Sequence, residues 1–111
     1  MAAPELAVAK IKRFCHERTP AELRDEMRLE VEVRGNSVTI VDCRPLFHGE
    51  PGDWTRMKIA QLRFDPADAT WALYWADRNS RWHRYNGVDA TKILDDVLAE
   101  IDDDPTCIFF G

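Results

Sequence analysis

The chain has little glycine, proline or cysteine, and it contains no long hydrophobic run. Five glycines and six prolines among 111 residues are no enrichment, which excludes collagen-like and low-complexity proteins. The longest apolar stretches are a few residues, far below the roughly 20 that a membrane-spanning helix needs, so no membrane partner is expected. A chain of this length supports one domain with a modest core, and we therefore treat residues 1–111 as a single domain.

The cysteines are odd in number and widely spaced along the chain. Cys15, Cys43 and Cys107 form no Cys-x-x-Cys pair, so neither a disulfide framework nor a structural zinc site is indicated. The first residues, Met1–Glu5, have no basic start and no long apolar segment, which is unlike a secretory signal. These features favour a reduced, cytoplasmic location, and no motif in the chain indicates a metal or another cofactor.

Acidic residues outnumber basic ones, but the excess lies in one segment. The net charge of −5 argues against a protein that binds nucleic acid through bulk charge. Between Asp89 and Asp104, seven acids stand against Lys92 alone, a local charge of −6. Between Trp54 and Tyr85, six basic residues stand against three acids, a local charge of +3. A local basic surface is therefore compatible with the acidic composition.

Apolar residues recur at helical spacing near both ends of the chain. Residues from about Pro4 to His16 predict an amphipathic helix with one apolar side. Near the other end, Asp89 is predicted to cap a helix whose apolar stripe runs from Ile93 to Ile101. A capping pattern also predicts a short helical turn over residues 19–25.

A strict alternation of apolar and charged residues predicts a hairpin in the first half of the chain. From Met27 to Arg34 every second residue is apolar, which is the period of a half-buried strand. A β-rich segment follows after Gly35-Asn36, which suits a two-residue turn. Such a turn aligns two apolar pairs across the hairpin: Val33 with Val38, and Val31 with Ile40.

Three further strands are predicted over Trp54–Phe64, Thr70–Ala76 and Arg81–Tyr85, with loops or turns between them. The fold class is therefore α+β: a five-stranded antiparallel meander sheet with an N-terminal helix and a C-terminal helix packed on it. The apolar tail after residue 105 is expected to fold back onto this domain.

The turn between the last two strands determines which side chains share a face. A two-residue turn near Arg78-Asn79-Ser80 places Trp75 and Trp82 on the inward face of the sheet. The same turn groups Tyr74 with His83 and Tyr85 on the outward face.

From Arg44 to its end, the sequence resembles a bacterial family known as "domain of unknown function 3024". The resemblance rests on Pro51-Gly52-Asp53-Trp54-Thr55-Arg56, Trp71-Ala72-Leu73-Tyr74-Trp75, Asp77-Arg78-Asn79-Ser80-Arg81-Trp82-His83-Arg84-Tyr85 and Ile108-Phe109-Phe110-Gly111. It implies a small bacterial protein, often encoded as a stand-alone domain, and it brings no activity, cofactor or catalytic residue. The family pattern has Asn-Gly where this chain has Asn79-Ser80, which leaves the type of that turn open because serine tolerates positive φ poorly.

The mixture of basic and aromatic residues between Trp54 and Tyr85 is typical of single-stranded nucleic-acid binders, which stack bases on rings and hold phosphates with Arg and Lys. The candidate binding residues are Arg63, Tyr74, Arg81, His83 and Tyr85. The few basic residues, the inward-facing tryptophans and the acidic C-terminal helix argue against this function.

The polar loop Phe47–Trp54 is a second candidate site, because a loop beside a rigid sheet can present a ligand or partner surface. Its candidate residues are Asp53 and Trp54, and the simpler alternative is a crossover loop held by packing of Trp54.

A third candidate is acid–base chemistry on the outward face, with His83 and an acid as the proton-transfer pair. The simpler alternative is a set of charges that keeps the sheet soluble and pairs across strands.

The leading interpretation is a small cytoplasmic bacterial binding or interaction domain, whose partner is an undetermined protein or ligand. A single-stranded nucleic-acid binder using strands three to five is the first alternative, and a small hydrolase or ribonuclease is the second. No motif establishes an enzyme. If the apolar tail pairs with an exposed sheet edge of another copy, a homodimer would result.

Overall fold

An antiparallel sheet in sequential strand order carries a helix from each end of the chain. The computed structural model describes residues 3–19, 22, 27–45, 54–106 and 108–109. Within these residues the elements are α1 (Glu5–Arg18), β1 (Arg28–Arg34), β2 (Ser37–Pro45), β3 (Trp54–Asp65), β4 (Thr70–Ala76), β5 (Trp82–Arg84) and α2 (Leu94–Asp103). The sheet order is β1-β2-β3-β4-β5, which confirms the predicted α+β meander. None of the described helices is long and apolar enough to cross a membrane.

The hairpin of β1 and β2 has the predicted register. Val33 pairs with Val38 and Val31 pairs with Ile40, so the apolar side chains of both strands lie on one face. Gly35 adopts φ +58° in the two-residue turn, a conformation that glycine reaches without a steric penalty.

Both helices pack against this same face of the sheet, which we call the inner face. α1 contributes Ile11 and Cys15 to the core, and α2 contributes an apolar stripe from Leu94 to Ile101. The sheet side chains that meet them are Val38, Ile40, Ala60, Leu62, Trp71, Leu73 and Tyr85. The core therefore lies between one sheet face and two helices, and the opposite sheet face is not part of it.

Strand β3 contains an extra residue where it pairs with β2. Ile40 pairs with Ala60, but the next residue, Val41, pairs with Lys58, so Ile59 has no partner in the register. This is a β-bulge, and both Ile59 and Ala60 are buried in the core. The bulge shifts the alternation of β3 by one residue. On its N-terminal side, the even-numbered residues up to Lys58 therefore point away from the helices.

The hairpin of β4 and β5 corrects the predicted faces. Tyr74 pairs with Arg84, and Trp75 pairs with His83, so Tyr74 does not share a face with His83 or Tyr85. The connection is three residues long, because the N–H of Asp77 donates to the carbonyl of Arg81 across residues 78–80. An odd loop length reverses the faces that a two-residue turn would give.

Ser80 closes this three-residue loop with φ +61°. Glycine is the usual residue at such a position because it reaches positive φ without a steric penalty, and Ser80 stands here in its place. Trp82, predicted to face inward beside Trp75, instead lies on the face that carries Tyr74.

Helix α2 begins later than predicted. Ile93, not Asp89, occupies the position before its first turn. The backbone of Thr91 is occupied by a β-bridge to Trp71, with hydrogen bonds in both directions, so the helix cannot start before this bridge ends. Ile93, predicted within the apolar stripe, is consequently exposed.

The chain after α2 folds back onto the core, as predicted, in the part that the structure describes. Phe109 is buried against the ring of Tyr85, with ring centroids 5.1 Å apart, and its N–H donates to Asp104. Cys107, Phe110 and Gly111 lie outside the described residues, as do most of the predicted helical turn over 19–25 and all of the loop over 46–53.

Tyr85 joins the sheet, α2 and the tail at one point. Its ring is 5% exposed and its hydroxyl donates to Glu100 of α2 at 2.7 Å. Burial, and then the Glu100 carboxylate, raise the pKa of Tyr85 above its ordinary value. The ring also lies directly over Gly87, where an added Cβ would stand 2.2 Å from a ring carbon.

Gly87→Ala is therefore expected to lower the free energy of unfolding by about 1–3 kcal/mol, because the Tyr85 ring cannot move without losing its core contacts. Chemical denaturation monitored by tryptophan fluorescence measures this change. Asn86→Ala, at an exposed neighbouring position, is the control and should change stability little. Equal stability of Gly87→Ala and the wild type would contradict the packing described here.

Candidate binding face of the sheet

The sheet face opposite the helices, which we call the outer face, is charged and aromatic. The cross-strand registers place the odd-numbered residues of β2 and the even-numbered residues of β1, β4 and β5 on it. From β3 it receives the even-numbered residues before the bulge and the odd-numbered residues after it. Its charged and aromatic members are Arg28, Glu30, Glu32, Arg34, Trp54, Arg56, Lys58, Arg63, Asp65, Tyr74, Trp82 and Arg84.

The outer face has the opposite charge to the chain as a whole. Six of these side chains are basic and three are acidic, a local charge of +3 in a chain whose net charge is −5. The rest of the molecule therefore carries −8, much of it on and around α2. Such a separation attracts a polyanion to one side of the protein and repels it from the other.

Each aromatic ring of the outer face lies under a cation. The guanidinium of Arg63 stands 3.8 Å from the ring centroid of Tyr74, and that of Arg84 stands 5.8 Å from the same ring. At the other end of the face, Arg28 lies 3.9 Å from the ring of Trp54. Between them, the ammonium of Lys58 is 5.9 Å from the ring of Trp82.

One basic residue of the outer face is neutralised by two carboxylates. Arg56 donates from Nη1 to Glu30 and from Nη2 to Glu32, each at 2.5 Å. The hydrogen bond from Arg56 holds the pKa of Glu30 below its ordinary value, and the two carboxylates raise the pKa of Arg56. Arg56 therefore acts as a link between β1 and β3 rather than as a cation available to a ligand.

A short polar network connects the middle of the face. Gln61 donates to the hydroxyl of Thr39 at 3.0 Å, and its amide oxygen accepts from Nε of Arg63 at 2.6 Å. By donating to Gln61, the Arg63 side chain is held along the sheet, with its guanidinium over the ring of Tyr74. Lys58, Arg63 and Arg84 form no ion pair with any carboxylate of the described residues.

The structure brings together some of the predicted binding residues and separates the others. Arg63 and Tyr74 share the outer face, and Trp54 lies at its far end. Tyr85 was wrongly predicted there, because it is buried in the core on the inner side. Two more predicted residues lie off this face: His83 is on the inner side of β5, and Arg81 pairs with Asp77 at the base of the hairpin loop. Asp53 lies outside the described residues.

Several members of the outer face were not among the candidate binding residues, and they include Arg28, Lys58, Trp82 and Arg84. Two of them depend on the three-residue loop after β4, which reverses β5. Lys58 depends on the bulge, for which the sequence does carry a signal. Ile59 and Ala60 are adjacent apolar residues within an otherwise alternating strand. Such a pair in a sequence indicates a bulge that buries two consecutive side chains.

His83 has an acidic partner, but this partner also has a structural role. Nε2 of His83 lies 2.7 Å from Oδ2 of Asp77, and the His83 ring stacks on Trp75 at 4.6 Å. The other oxygen of Asp77 accepts from the backbone N–H groups of Asn79 and Arg81. The pair closes the hairpin, and the predicted hydrolase function of His83 with an acid stays a prediction.

The cysteine thiols that the structure describes are poor nucleophiles. Burial raises the pKa of Cys15 to about 12, and burial together with the Glu30 carboxylate raises the pKa of Cys43. Both are free and protonated at neutral pH. In the described part of the chain, no three or more His, Cys, Asp or Glu side chains gather as a metal site would require.

Comparison with known families identifies the chain. A family described as "Domain of unknown function (DUF3024)" matches residues 2–111. The chain belongs to this DUF3024 family. The match extends the resemblance, which was detailed only from Arg44 onward, to the N-terminal helix and hairpin. A search of curated proteins found no match, and a search of solved structures found none. In this DUF3024 domain, the outer face carries the clustered basic and aromatic side chains.

The Asp77 carboxylate gives the hairpin a pH-dependent stability. Its pKa is lowered from 3.8 to about 2, first by the hydrogen bond with His83 and then by the N–H of Arg81. A carboxyl whose pKa is lower in the folded state stabilises the fold above its unfolded pKa, and this contribution is lost as the pH falls towards 2.

Asp77→Asn is accordingly expected to lower the melting temperature at pH 7, and the deficit relative to wild type should shrink between about pH 5 and pH 2. Circular dichroism melts across this range measure the deficit. Asp68→Asn, an exposed carboxyl in the preceding turn, serves as the control with no such trend. A deficit that is constant with pH would contradict the role assigned to Asp77.

Proposed function

We propose that this domain is a binding module that takes single-stranded nucleic acid on its outer face. The observation that supports this function most strongly is the set of cation–ring contacts, in which Arg28, Lys58, Arg63 and Arg84 cover three aromatic rings on one positively charged sheet face. Stacking rings beside phosphate-binding cations are the two components that such binders combine.

The cations supply the phosphate contacts. Lys58, Arg63 and Arg84 are the three basic side chains near Tyr74 and Trp82, and none forms an ion pair with a carboxylate of the described residues. These cations contact aromatic rings rather than carboxylates. A phosphate can therefore bind them without displacing an acidic side chain. Arg56, held by Glu30 and Glu32, is not part of this set.

The rings supply the base contacts. An exposed cation–ring contact contributes about 0.5–1 kcal/mol, whereas stacking of a base on an aromatic side chain contributes about 1–3 kcal/mol. We therefore expect a favourable exchange when a single strand binds. The guanidinium of Arg63 leaves the Tyr74 ring and contacts a phosphate, and a base stacks on that ring instead. Because a duplex keeps its base faces stacked internally, this exchange requires a single strand.

The dimensions of the outer face suit a short oligonucleotide. Trp54 and Gln61 are seven residues apart along β3, which corresponds to roughly 20 Å at the rise of a β-strand. Tyr74 is the cross-strand partner of Gln61, so the rings of Trp54 and Tyr74 lie roughly this distance apart along the strand direction. Trp82 lies between them, near Lys58.

The same proposal includes a bacterial cytoplasm as the place of action. The described cysteines, Cys15 and Cys43, are both free thiols, which fits a reducing compartment. Membership of the DUF3024 family is compatible with a bacterial source, as the resemblance implied.

The salt dependence of binding tests the phosphate contacts. Three contacts to a single strand predict a slope of log affinity against log salt of about −2, or about 20-fold weaker binding at 200 mM than at 50 mM salt. Arg63→Ala/Arg84→Ala should reduce the slope to about −0.7. Fluorescence anisotropy with labelled oligo(U) and oligo(dT) measures both values.

The matched control is Lys12→Ala/Lys92→Ala, which removes the same charge from exposed positions outside the sheet. This variant should bind as the wild type does. If no oligonucleotide binds at low salt, or if the two double variants weaken binding equally, the outer face is not a nucleic-acid site.

The Tyr74 ring tests the stacking contact separately. Tyr74→Ala is expected to weaken binding about 5- to 150-fold at constant salt, with the salt slope unchanged, because it removes stacking and no charge. Tyr74→Phe keeps the ring and should bind nearly as the wild type does. The same anisotropy titrations measure both, and equal losses in the two variants would argue against stacking.

A further inference from the structure

A groove follows the free edge of the sheet, between β1 and the flank of α1. β1 is an edge strand of seven residues with no proline and no bulge in its register with β2, whereas the opposite edge strand, β5, has three residues. α1 packs over β1 on the inner side and therefore stands beside this edge. Edge strands are normally protected by proline or a bulge, because their unpaired peptide groups attract other strands.

The peptide groups that face the groove belong to the odd-numbered residues of β1. Arg34 and Ser37 flank the two-residue turn as a hydrogen-bonded pair, so hydrogen bonding to β2 falls on the even-numbered residues. The N–H and C=O groups of Leu29, Val31 and Val33 therefore point away from β2. No turn or loop in the described part of the chain hydrogen-bonds to these three residues. Their backbone groups can pair with an added strand.

Two cavities lie along this edge, one towards each end of β1. The first, of about 350 Å³, lies between Val8 of α1 and Val33. The second, of about 340 Å³, is lined by Leu29, Glu30 and Val31 of β1. Because Glu30 points to the outer face and its two neighbours point to the inner face, a cavity lined by all three lies at the strand edge itself. Together the cavities extend over roughly 13 Å of strand, or about five extended residues.

One cationic side chain lies between the two cavities. Lys12 lines both of them, with Val8 lining only the first and Cys15 only the second. Its position between these two residues on α1 places Lys12 level with Val31, at the middle of the edge. Lys12 is exposed, and it forms no ion pair with a carboxylate of the described residues. A ligand that fills both cavities therefore meets a positive charge at its centre.

The acidic side chains of the groove lie towards its ends. Glu5 of α1 lines the first cavity, and Glu30 lines the second, where it also accepts from Arg56. An acidic side chain of a ligand is therefore favoured at the centre, beside Lys12, rather than at either end.

We infer that the β1 edge binds an extended peptide of another protein as an additional antiparallel strand, with the sequence pattern apolar-x-acidic-x-apolar. Side chains alternate across a strand, so the three specified residues all face α1. The two apolar residues enter the two cavities, and the acidic residue between them pairs with Lys12. Backbone hydrogen bonds to Leu29, Val31 and Val33 provide affinity for any extended chain, and the cavities provide the specificity.

Parts of the same protein suit the groove less well than such a peptide. The described part of the tail is held elsewhere, because Phe109 is buried against Tyr85 of its own domain. A second copy of β1 would place a valine, Val31, at the central position and would offer no acid to Lys12. The groove lies at the edge and on the helix side of the sheet, so the inference does not depend on nucleic-acid binding by the outer face.

Two labelled peptides that differ only at the centre test the pattern by fluorescence anisotropy. Thr-Ile-Thr-Glu-Thr-Ile-Thr should bind the wild type with a micromolar Kd. Thr-Ile-Thr-Lys-Thr-Ile-Thr should bind about 5- to 25-fold more weakly, because an exposed ion pair is replaced by a repulsion of similar size. Lys12→Glu should reverse this preference. Lys92→Glu, the same change at an exposed lysine outside the groove, is the matched control and should keep the wild-type preference.

Amide hydrogen exchange tests the backbone pairing directly. In the free protein, the N–H groups of Val31 and Val33 should exchange rapidly, and those of Glu30 and Glu32, which are bonded to β2, should exchange slowly. The glutamate peptide should slow the exchange of Val31 and Val33 and leave the other two nearly unchanged. N-methylation of its central glutamate removes the N–H that would donate to Val31, and it should abolish this protection.

Circular dichroism of the two lysine variants verifies their fold. The proposal would be overturned if the glutamate peptide did not bind, if Lys12→Glu kept the wild-type preference, or if binding left the exchange of Val31 unchanged. Slow exchange of Val31 in the free protein would also overturn it, since another segment of the chain or a second copy would then occupy the edge. Oligonucleotide titrations report on the outer face alone, so failure here is distinguishable from failure of nucleic-acid binding.

Discussion

The extra residue at position 59 determines what each face of the sheet presents. Without the bulge, the even-numbered residues of β3 would stay on one side along its whole length, and Lys58 and Arg56 would point toward the helices. With it, Ile59 and Ala60 are both buried, and the charged half of β3 joins the face that carries Gln61 and Arg63. The bulge therefore gives the core two apolar side chains and gives the outer face two cations.

The helices cover only one face of the sheet, so the other face is available for contacts with a ligand or partner. The inner face is occupied by α1, α2 and the tail around Tyr85, so it has little capacity for a ligand. The outer face holds cations against rings, a contact that is weak in water and easily exchanged. The acidic side chains are placed differently: Glu30 and Glu32 bind Arg56, and five carboxylates lie on α2, namely those of Asp95, Asp96, Glu100, Asp102 and Asp103. The charge separation gives the domain a single side that suits a polyanion.

Alternation and helical spacing predicted most of the architecture correctly, because burial of apolar side chains enforces both periods. The first hairpin has its predicted pairs, and β4 has its predicted bounds, Thr70–Ala76. The predicted side-chain faces were wrong where a loop was one residue longer than expected. The three-residue loop closed by Ser80 reversed β5, which moved Trp82 outward and placed His83 on the inner side. The bridge between Trp71 and Thr91 delayed α2, and no local signal of the sequence reveals such a bridge.

The sequence by itself determined the family, the strand and helix content, and the presence of basic and aromatic residues in one segment. Those features are local, since they follow from residue type and from periods of two or 3.6 residues. Only the tertiary structure decided which of these residues share a face. Side-chain direction in a sheet reverses with each inserted residue, so the bulge at Ile59 and the odd loop at Ser80 together assembled Lys58, Tyr74 and Arg84 on one surface.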